Sequence, residues 1–402
     1  MPRNTENIRY NVDETPDSLS SVRSSHRVFV VHKNTIGLPA GRSNGKCSTE
    51  QATKNIQKRY WETGIPMGME LEAEYDGGSC DCDCDYCCEA DHGYCEYDSC
   101  GYGDILTWSP VRDIILKSNE HMYKTMRDYA VQKGRNTYKY INPIIAKYDG
   151  SLDQGVEFNF QPMTVESFRP YAQIVQDNAG GLSGYWNNTA GIHIHMPKSA
   201  FTDAELYLFL VLWRTFELYV DDDGKPFLEI ICQRSANQWC HYNVPFDRES
   251  DRDDLHAGKL GKIFYDVIKN GRRSQAGRYS ALNLNGHGTT MEVRAFNSNL
   301  RADRLIKNMA FLDACWRYVH LLSDLLNEGR YKEALQYVTN LHSFVGYCKN
   351  PVRKGFNEEL ARFLDSHWDD SDSHKEQSLI YGTDLLPYLI QLNEEDNYGG
   401  TE

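Results

Sequence analysis

Met69-Glu70-Leu71-Glu72-Ala73-Glu74, Val156-Glu157-Phe158, Ile192-His193-Ile194-His195-Met196 and Met291-Glu292-Val293-Arg294-Ala295 share one pattern: apolar side chains alternate with carboxylates, imidazoles or a guanidinium. Successive side chains of a strand point to opposite faces of its sheet. A strand with this spacing therefore buries its apolar set on one side and shows its ligand-type residues on the other. Four such strands in one antiparallel sheet would make one face apolar and the other a wall of carboxylates and imidazoles with a single guanidinium. Clustered carboxylates raise one another's pKa and cannot all stay ionised without cations. Bound divalent metal resolves that conflict, and a carboxylate-dominated donor set suits Mg²⁺ or Mn²⁺ better than Zn²⁺. The pattern predicts an enzyme's metal site on a sheet face.

Taken singly, each stretch has a plainer reading. Glu70, Glu72 and Glu74 alone would suit a half-solvated edge strand, His193-x-His195 a structural pair, and Glu292-x-Arg294 a charge-patterned strand. The conjunction carries the prediction. Arg294 lies two residues from Glu292 and so on the same face, where a guanidinium can hold a phosphate beside the metal, as phosphoryl transfer requires.

Strands interleave with helical stretches without regular βαβ alternation, which predicts an α+β fold with helices covering the other face of the sheet. Ser109-Pro110 opens a helix running to Gly134, and Thr164 to Asp177 forms another. Thr202-x-x-Glu205 is a capping box opening an apolar helix to Val220. Asp149-Gly150 reads as a turn joining strands over 138–147 and 156–160. Residues 1–60 carry 10 Lys+Arg against 5 Asp+Glu, opposite in sign to the whole chain, and read as a loosely attached polar arm. The catalytic unit is expected over 61–325 with a cysteine-rich insert at 76–104. Residues 326–402 add a helical extension and an acidic tail packed on the same domain.

The 402 residues carry a net charge of −14 with 40% hydrophobic and 25% charged residues. An acidic chain argues against nucleic acid or anionic membrane as main partner. No apolar run approaches the roughly 18–20 residues of a membrane span, and the first residues lack the apolar core of a signal peptide. A cytoplasmic location is expected, which biases the 12 cysteines toward thiols or metal ligands. Oligomeric state is not legible.

Cys80, Cys82, Cys84, Cys87, Cys88, Cys95 and Cys100 crowd one insert that also holds His92 and has no Lys or Arg between Asp76 and Gly103. Cys84, Cys87, Cys95 and Cys100 suit a four-coordinate structural zinc site. Foursomes using Cys80, Cys82 or His92 are alternatives, and disulfides or free thiols are competing explanations.

In order along the chain, Gly68-Met69-Glu70-Leu71-Glu72, Asp149-Gly150-Ser151-Leu152 with Gly155-Val156-Glu157, Ala190-Gly191-Ile192-His193-Ile194-His195, Arg278-Tyr279-x-x-Leu282-Asn283 and Met291-Glu292-Val293-Arg294 resemble the amidoligase family. That family belongs to the carboxylate–amine ligase superfamily, with glutamine synthetase and glutamate–cysteine ligase as relatives. The similarity spans roughly residues 64–325 and covers neither the arm nor the cysteine insert. The resemblance implies a glutamine-synthetase-like sheet face. Glu70, Glu72, Glu157, His193 and Glu292 would bind Mg²⁺ ions that bridge ATP phosphates, with His195 as a second imidazole ligand or a substrate contact. It implies Arg294 as the group steadying the transferred phosphoryl, and Arg278, with Tyr279 and Asn283, near nucleotide or acyl phosphate. The implied reaction joins a small-molecule or peptide carboxylate to an amine through an acyl phosphate. A metal-dependent hydrolase using His193, His195 and carboxylates, and a non-catalytic binding protein on the same fold, are the alternatives.

Overall fold

The apolar members of the four alternating stretches drive the sheet to form. Met69, Leu71 and Ala73, then Val156, Phe158 and Phe160, then Ile192, Ile194 and Met196, then Met291, Val293 and Ala295 are all buried in one continuous core. Each large member contributes roughly 1.5–3 kcal/mol by leaving water, and only a shared register puts all of them on one side. The computed structural model of the chain describes residues 9–13, 50–75, 109–149, 152, 155–184, 190–237, 240–242, 259–270, 279–284, 289–368 and 384–398.

In chain order the elements are β1 (Arg9–Asn11), α1 (Glu50–Thr63), β2 (Met67–Tyr75), α2 (Ser109–Gln132), β3 (Thr137–Lys139), β4 (Ile144–Asp149), β5 (Gly155–Met163), α3 (Val165–Asn178), β6 (Leu182–Ser183) and β7 (Gly191–Pro197). There follow α4 (Asp203–Leu218), α5 (Phe227–Cys232), α6 (Leu260–Asn270), β8 (Leu282–Asn283), β9 (Thr290–Asn297), α7 (Ala302–Asn327), α8 (Tyr331–Val338), α9 (Leu341–Lys349), α10 (Glu358–His367) and α11 (Leu385–Tyr398). Among the described residues the strands form an antiparallel sheet in the order β4-β5-β2-β7-β9-β8, with β6 pairing the far end of β2, and a separate β1–β3 pair. This is the α+β class expected. Helices α2, α3, α4 and α7 send their apolar residues into the same core as the strands, so the helical layer covers the apolar face.

The capping signals act as read. Thr164 accepts from the Ser167 N–H at the start of α3. Thr202 and Glu205 make both bonds of the capping box that opens α4. The arm boundary requires correction. The chain is helical from Glu50, and α1 docks through Tyr60, edge-on to Trp316, and through Gln57, whose amide donates to the Ala200 carbonyl at 3.3 Å. Arg9–Asn11 pair with β3, and the Arg127 guanidinium donates to the Val12 carbonyl at 2.8 Å. Both pieces lie within the stretch expected to be loosely attached. Their anchoring contacts come from residues more than a hundred positions away, beyond the reach of local composition. The cysteine insert and the last four residues lie outside the described residues.

Candidate active site

Register brings the ligand-type residues into rows. Lys147 of β4 pairs with Glu157 of β5, which pairs with Glu72 of β2. Asn159, Glu70 and His193 make a second row across β5, β2 and β7. Gly68, His195, Glu292 and Asn283 make a third across β2, β7, β9 and β8. Paired residues share a face, so all these side chains stand on the side opposite the apolar core.

The face is crowded and mostly buried. His193 lies at its centre, with Nδ1 3.3 Å from Glu70 Oε2 and 3.7 Å from Glu292 Oε1, and Nε2 3.5 Å from Glu72 Oε1. His195 Nε2 is 3.3 Å from Glu70 Oε1. Glu157 accepts from Lys147 Nζ at 2.7 Å and from Asn159 Nδ2 at 2.6 Å. Glu292 accepts from Arg294 Nη1 at 2.6 Å and from Asn283 Nδ2 at 3.2 Å. Glu72 accepts from the Gly191 N–H at 2.6 Å.

Burial and charge pull these groups in different directions. Burial on its own would raise Glu70, but hydrogen bonds and charge from His193 and His195 outweigh it and hold that carboxylate far below its ordinary range. Burial, reinforced by the Glu70 charge, raises Glu157, with Lys147 and Asn159 offsetting part of the effect. Burial opposes a charge on His195, yet Glu70 and Glu292 raise it. Carboxylates here lean on whatever cations they can reach, as expected of an acidic cluster.

Two sets of side chains converge closely enough to hold an ion, Glu70 with His195 and Glu292, and Glu72 with Asp149 and Glu157. Within each set, donor atoms lie within 4.8 Å of one another. Ligands of one ion at metal–oxygen distances of about 2.1 Å stand roughly 3–4 Å apart, so small side-chain rotations would close either set. Oxygen donors with one imidazole suit Mg²⁺ or Mn²⁺, and the donor chemistry fits.

The structure brings together Glu70, Glu72, Glu157, His193, His195, Glu292, Arg294 and Asn283. Asn283 serves Glu292 directly. Tyr279 is half-buried beyond the β8 edge, where its carbonyl accepts from the His241 N–H at 2.8 Å. Arg278 and Cys84, Cys87, Cys95 and Cys100 lie outside the described residues. Asp149, read as a turn residue with a role in the site as the alternative, belongs to the second ligand set. Lys147 and Asn159 were missed. Each stands two residues from a ligand, Lys147-x-Asp149 and Glu157-x-Asn159, so the period-two signal that revealed the glutamates covered them too.

The expectation of a single guanidinium on this face is wrong. Arg234, just beyond α5, lays its guanidinium over Gly191, where an added Cβ would clash with its Nη1 and lie 3.5 Å from the His193 Nε2. Gly191 alternates with His193, so that missing side chain faces the ligand side. No periodic signal marks Arg234, which arrives from a connecting segment. No family model and no curated protein matches the sequence.

Proposed function

We propose that the chain is an ATP- and Mg²⁺-dependent carboxylate–amine ligase with a glutamine-synthetase-like active face. The observation that carries this reading is the coincidence of two three-donor sets with Arg294 on one face. A single metal set would serve many hydrolases. A second set and a guanidinium within reach of the first favour chemistry in which phosphate charge must be shared and moved. The Arg294 Nε is buried with no hydrogen-bond partner among the described residues, which leaves it a donor for an anionic ligand, a feature it shares with the Nε of Arg234 and Arg353.

In the proposed reaction a substrate carboxylate attacks the γ-phosphate of ATP, ADP leaves, and an amine displaces phosphate from the acyl phosphate to give an amide. Glu70, His195 and Glu292 would hold one ion, and Glu72, Asp149 and Glu157 another. Such ions, when bound, screen phosphate charge and fix the line of transfer. Arg294 donates to the phosphoryl oxygens while Glu292 orients its guanidinium. Asn159 fixes the Glu157 carboxylate, and Asn283 fixes Glu292. A cytoplasmic setting belongs to the proposal, together with structural zinc on Cys84, Cys87, Cys95 and Cys100. Among the described residues no helix is long and apolar enough to cross a membrane.

The test is ATP turnover by the purified full chain with Mg²⁺ or Mn²⁺, panels of carboxylates and amines, and hydroxylamine as a trap. The expected result is ADP formation that requires a carboxylate, and a hydroxamate in its trapped product. Carboxylate-independent ATP turnover, or metal-dependent hydrolysis needing no ATP, would overturn the reading.

A further inference from the structure

Strand β9 does not pair evenly with β7. Ile194 stands opposite Val293 and Ile192 opposite Phe296, so Arg294 and Ala295 together face the single residue His193. This is a β-bulge, and it falls on the residue that carries the guanidinium beside Glu292. A bulge costs ladder hydrogen bonds, bends its strand and re-aims the side chains at the extra residue. Here it lies in the interior, with Ala295 and Phe296 fully buried, so the carbonyls it frees need donors from elsewhere.

Arg234 supplies them. Its Nη1 donates to the Arg294 carbonyl at 3.2 Å and to the Phe296 carbonyl at 3.4 Å, bracketing the bulge. Arg234 is only 6% exposed, and its guanidinium engages backbone carbonyls. Its own backbone is fixed on both sides. Gln233, which ends α5, is the one non-glycine residue with positive φ among the described residues (φ 55°), and the Tyr242 hydroxyl donates to the Arg234 carbonyl. Holding a non-glycine residue in this left-handed region costs of order 1 kcal/mol, so the surroundings must enforce it. The guanidinium reaches the bulge only because Gly191 has no side chain. Gly191 also donates its N–H to Glu72.

We infer that Arg234 is a positioning residue: it holds the β9 bulge in the form that aims Arg294 at the reacting phosphoryl, and Gly191 is the slot that admits it. Arg234 itself need not touch substrate. Its effect on rate rests on the ligase reading, whereas its effect on the geometry of Arg294 does not.

The experiment is a mutant cycle in the full chain with Arg234→Met, Arg294→Lys and the double variant, read two ways. The first is the rate of hydroxylamine-trapped acyl phosphate. Arg234→Met is expected to lower that rate by about 100-fold, as for an ångström-scale misplacement, with KM for ATP little changed. In the double variant the two losses are expected not to multiply. The second reading needs no activity: the Nε–H signal of ¹⁵N-arginine-labelled protein, assigned to Arg294 by its loss in Arg294→Lys, is expected to shift and broaden in Arg234→Met. Gly191→Ala is expected to reproduce both effects, and to add little in the Arg234→Met background, where the space is already free. Arg234→Lys keeps a cationic donor group but loses the rigid planar guanidinium, and provides a folded variant of intermediate effect should Arg234→Met not fold. If wild type shows no ATP-dependent turnover, the ligase reading fails and the arginine signal alone decides for or against Arg234. An unmoved Arg294 signal in folded Arg234 variants, or losses that multiply fully with Arg294→Lys, would overturn the positioning role.

Discussion

Lys147→Met is expected to tighten divalent metal binding at the set formed by Glu72, Asp149 and Glu157, although it removes a partner of Glu157. The lysine ammonium sits 2.7 Å from Glu157 Oε1, and its side chain is 54% exposed. The lysine end is exposed while Glu157 is buried, and the Asn159 amide still donates to that carboxylate after the substitution, so the fold is expected to survive. A metal held about 2.1 Å from the same carboxylate would stand roughly 4.5 Å from the ammonium. At that exposure the dielectric of water applies, and a double and a single positive charge repel by about 2 kcal/mol, or ~20-fold in affinity. Salt with a screening length of about 8 Å cuts this to about 1 kcal/mol, or ~6-fold. The assay is a Mn²⁺ titration followed by the paramagnetic resonance of free ion. Lys147→Met is expected to bind more tightly than wild type, by a margin that shrinks as salt is added, and Glu157→Gln more weakly. Unchanged or weaker Mn²⁺ binding in Lys147→Met at low salt would refute the claim that lysine and metal compete for one carboxylate.

Further outcomes follow from the same geometry. Arg294→Lys loses paired donation to phosphoryl oxygens. The expected drop in trapped acyl phosphate is ~100-fold, about 2.7 kcal/mol of barrier, with nucleotide binding retained; an equal rate would reduce Arg294 to a partner of Glu292. Asn283→Ala frees one oxygen of Glu292 and is expected to weaken Mn²⁺ about 10- to 100-fold by titration, without the salt signature of Lys147→Met. Thr202→Ala removes half of the capping box on α4 and should lower stability by roughly 0.5–2 kcal/mol in denaturant melts.

Asp396 gives a pH prediction far from the site. Burial outweighs the hydrogen bond from the Ala204 N–H and raises this carboxyl to about 6, against an ordinary 3.8. Between those values the folded chain keeps a proton that the unfolded chain has released. The group's contribution is therefore most favourable below about pH 4 and is lost as pH rises toward 6. Asp396→Asn abolishes that loss. Its melting temperature is expected to match wild type near pH 4 and to exceed it at pH 7.5 by the equivalent of roughly 2–3 kcal/mol. A difference independent of pH would refute the assignment.

Much of the site was legible because strand periodicity is local. Glu70, Glu72, Glu157, His193, His195 and Glu292 each directly follow an apolar residue, and any strand made from these alternating residues sorts them by face. Lys147 and Asn159 obey the same spacing but are not metal-ligand types, and Asp149, beside Gly150, suits a turn as well as a ligand. Arg234 is a different case. Its importance depends on a bulge that exists only once β7 and β9 are paired.

Sequence alone determined which residues face together within each strand and where α3 and α4 begin. These are consequences of L-residue geometry and short-range hydrogen bonding, carried within a few positions of the chain. Tertiary structure decided the order of strands, which carboxylates form which set, that α1 docks, and that Arg234 lies over Gly191. Each depends on register and packing between segments far apart in sequence, where the gain comes from burying several apolar faces at once and no single segment specifies its partner.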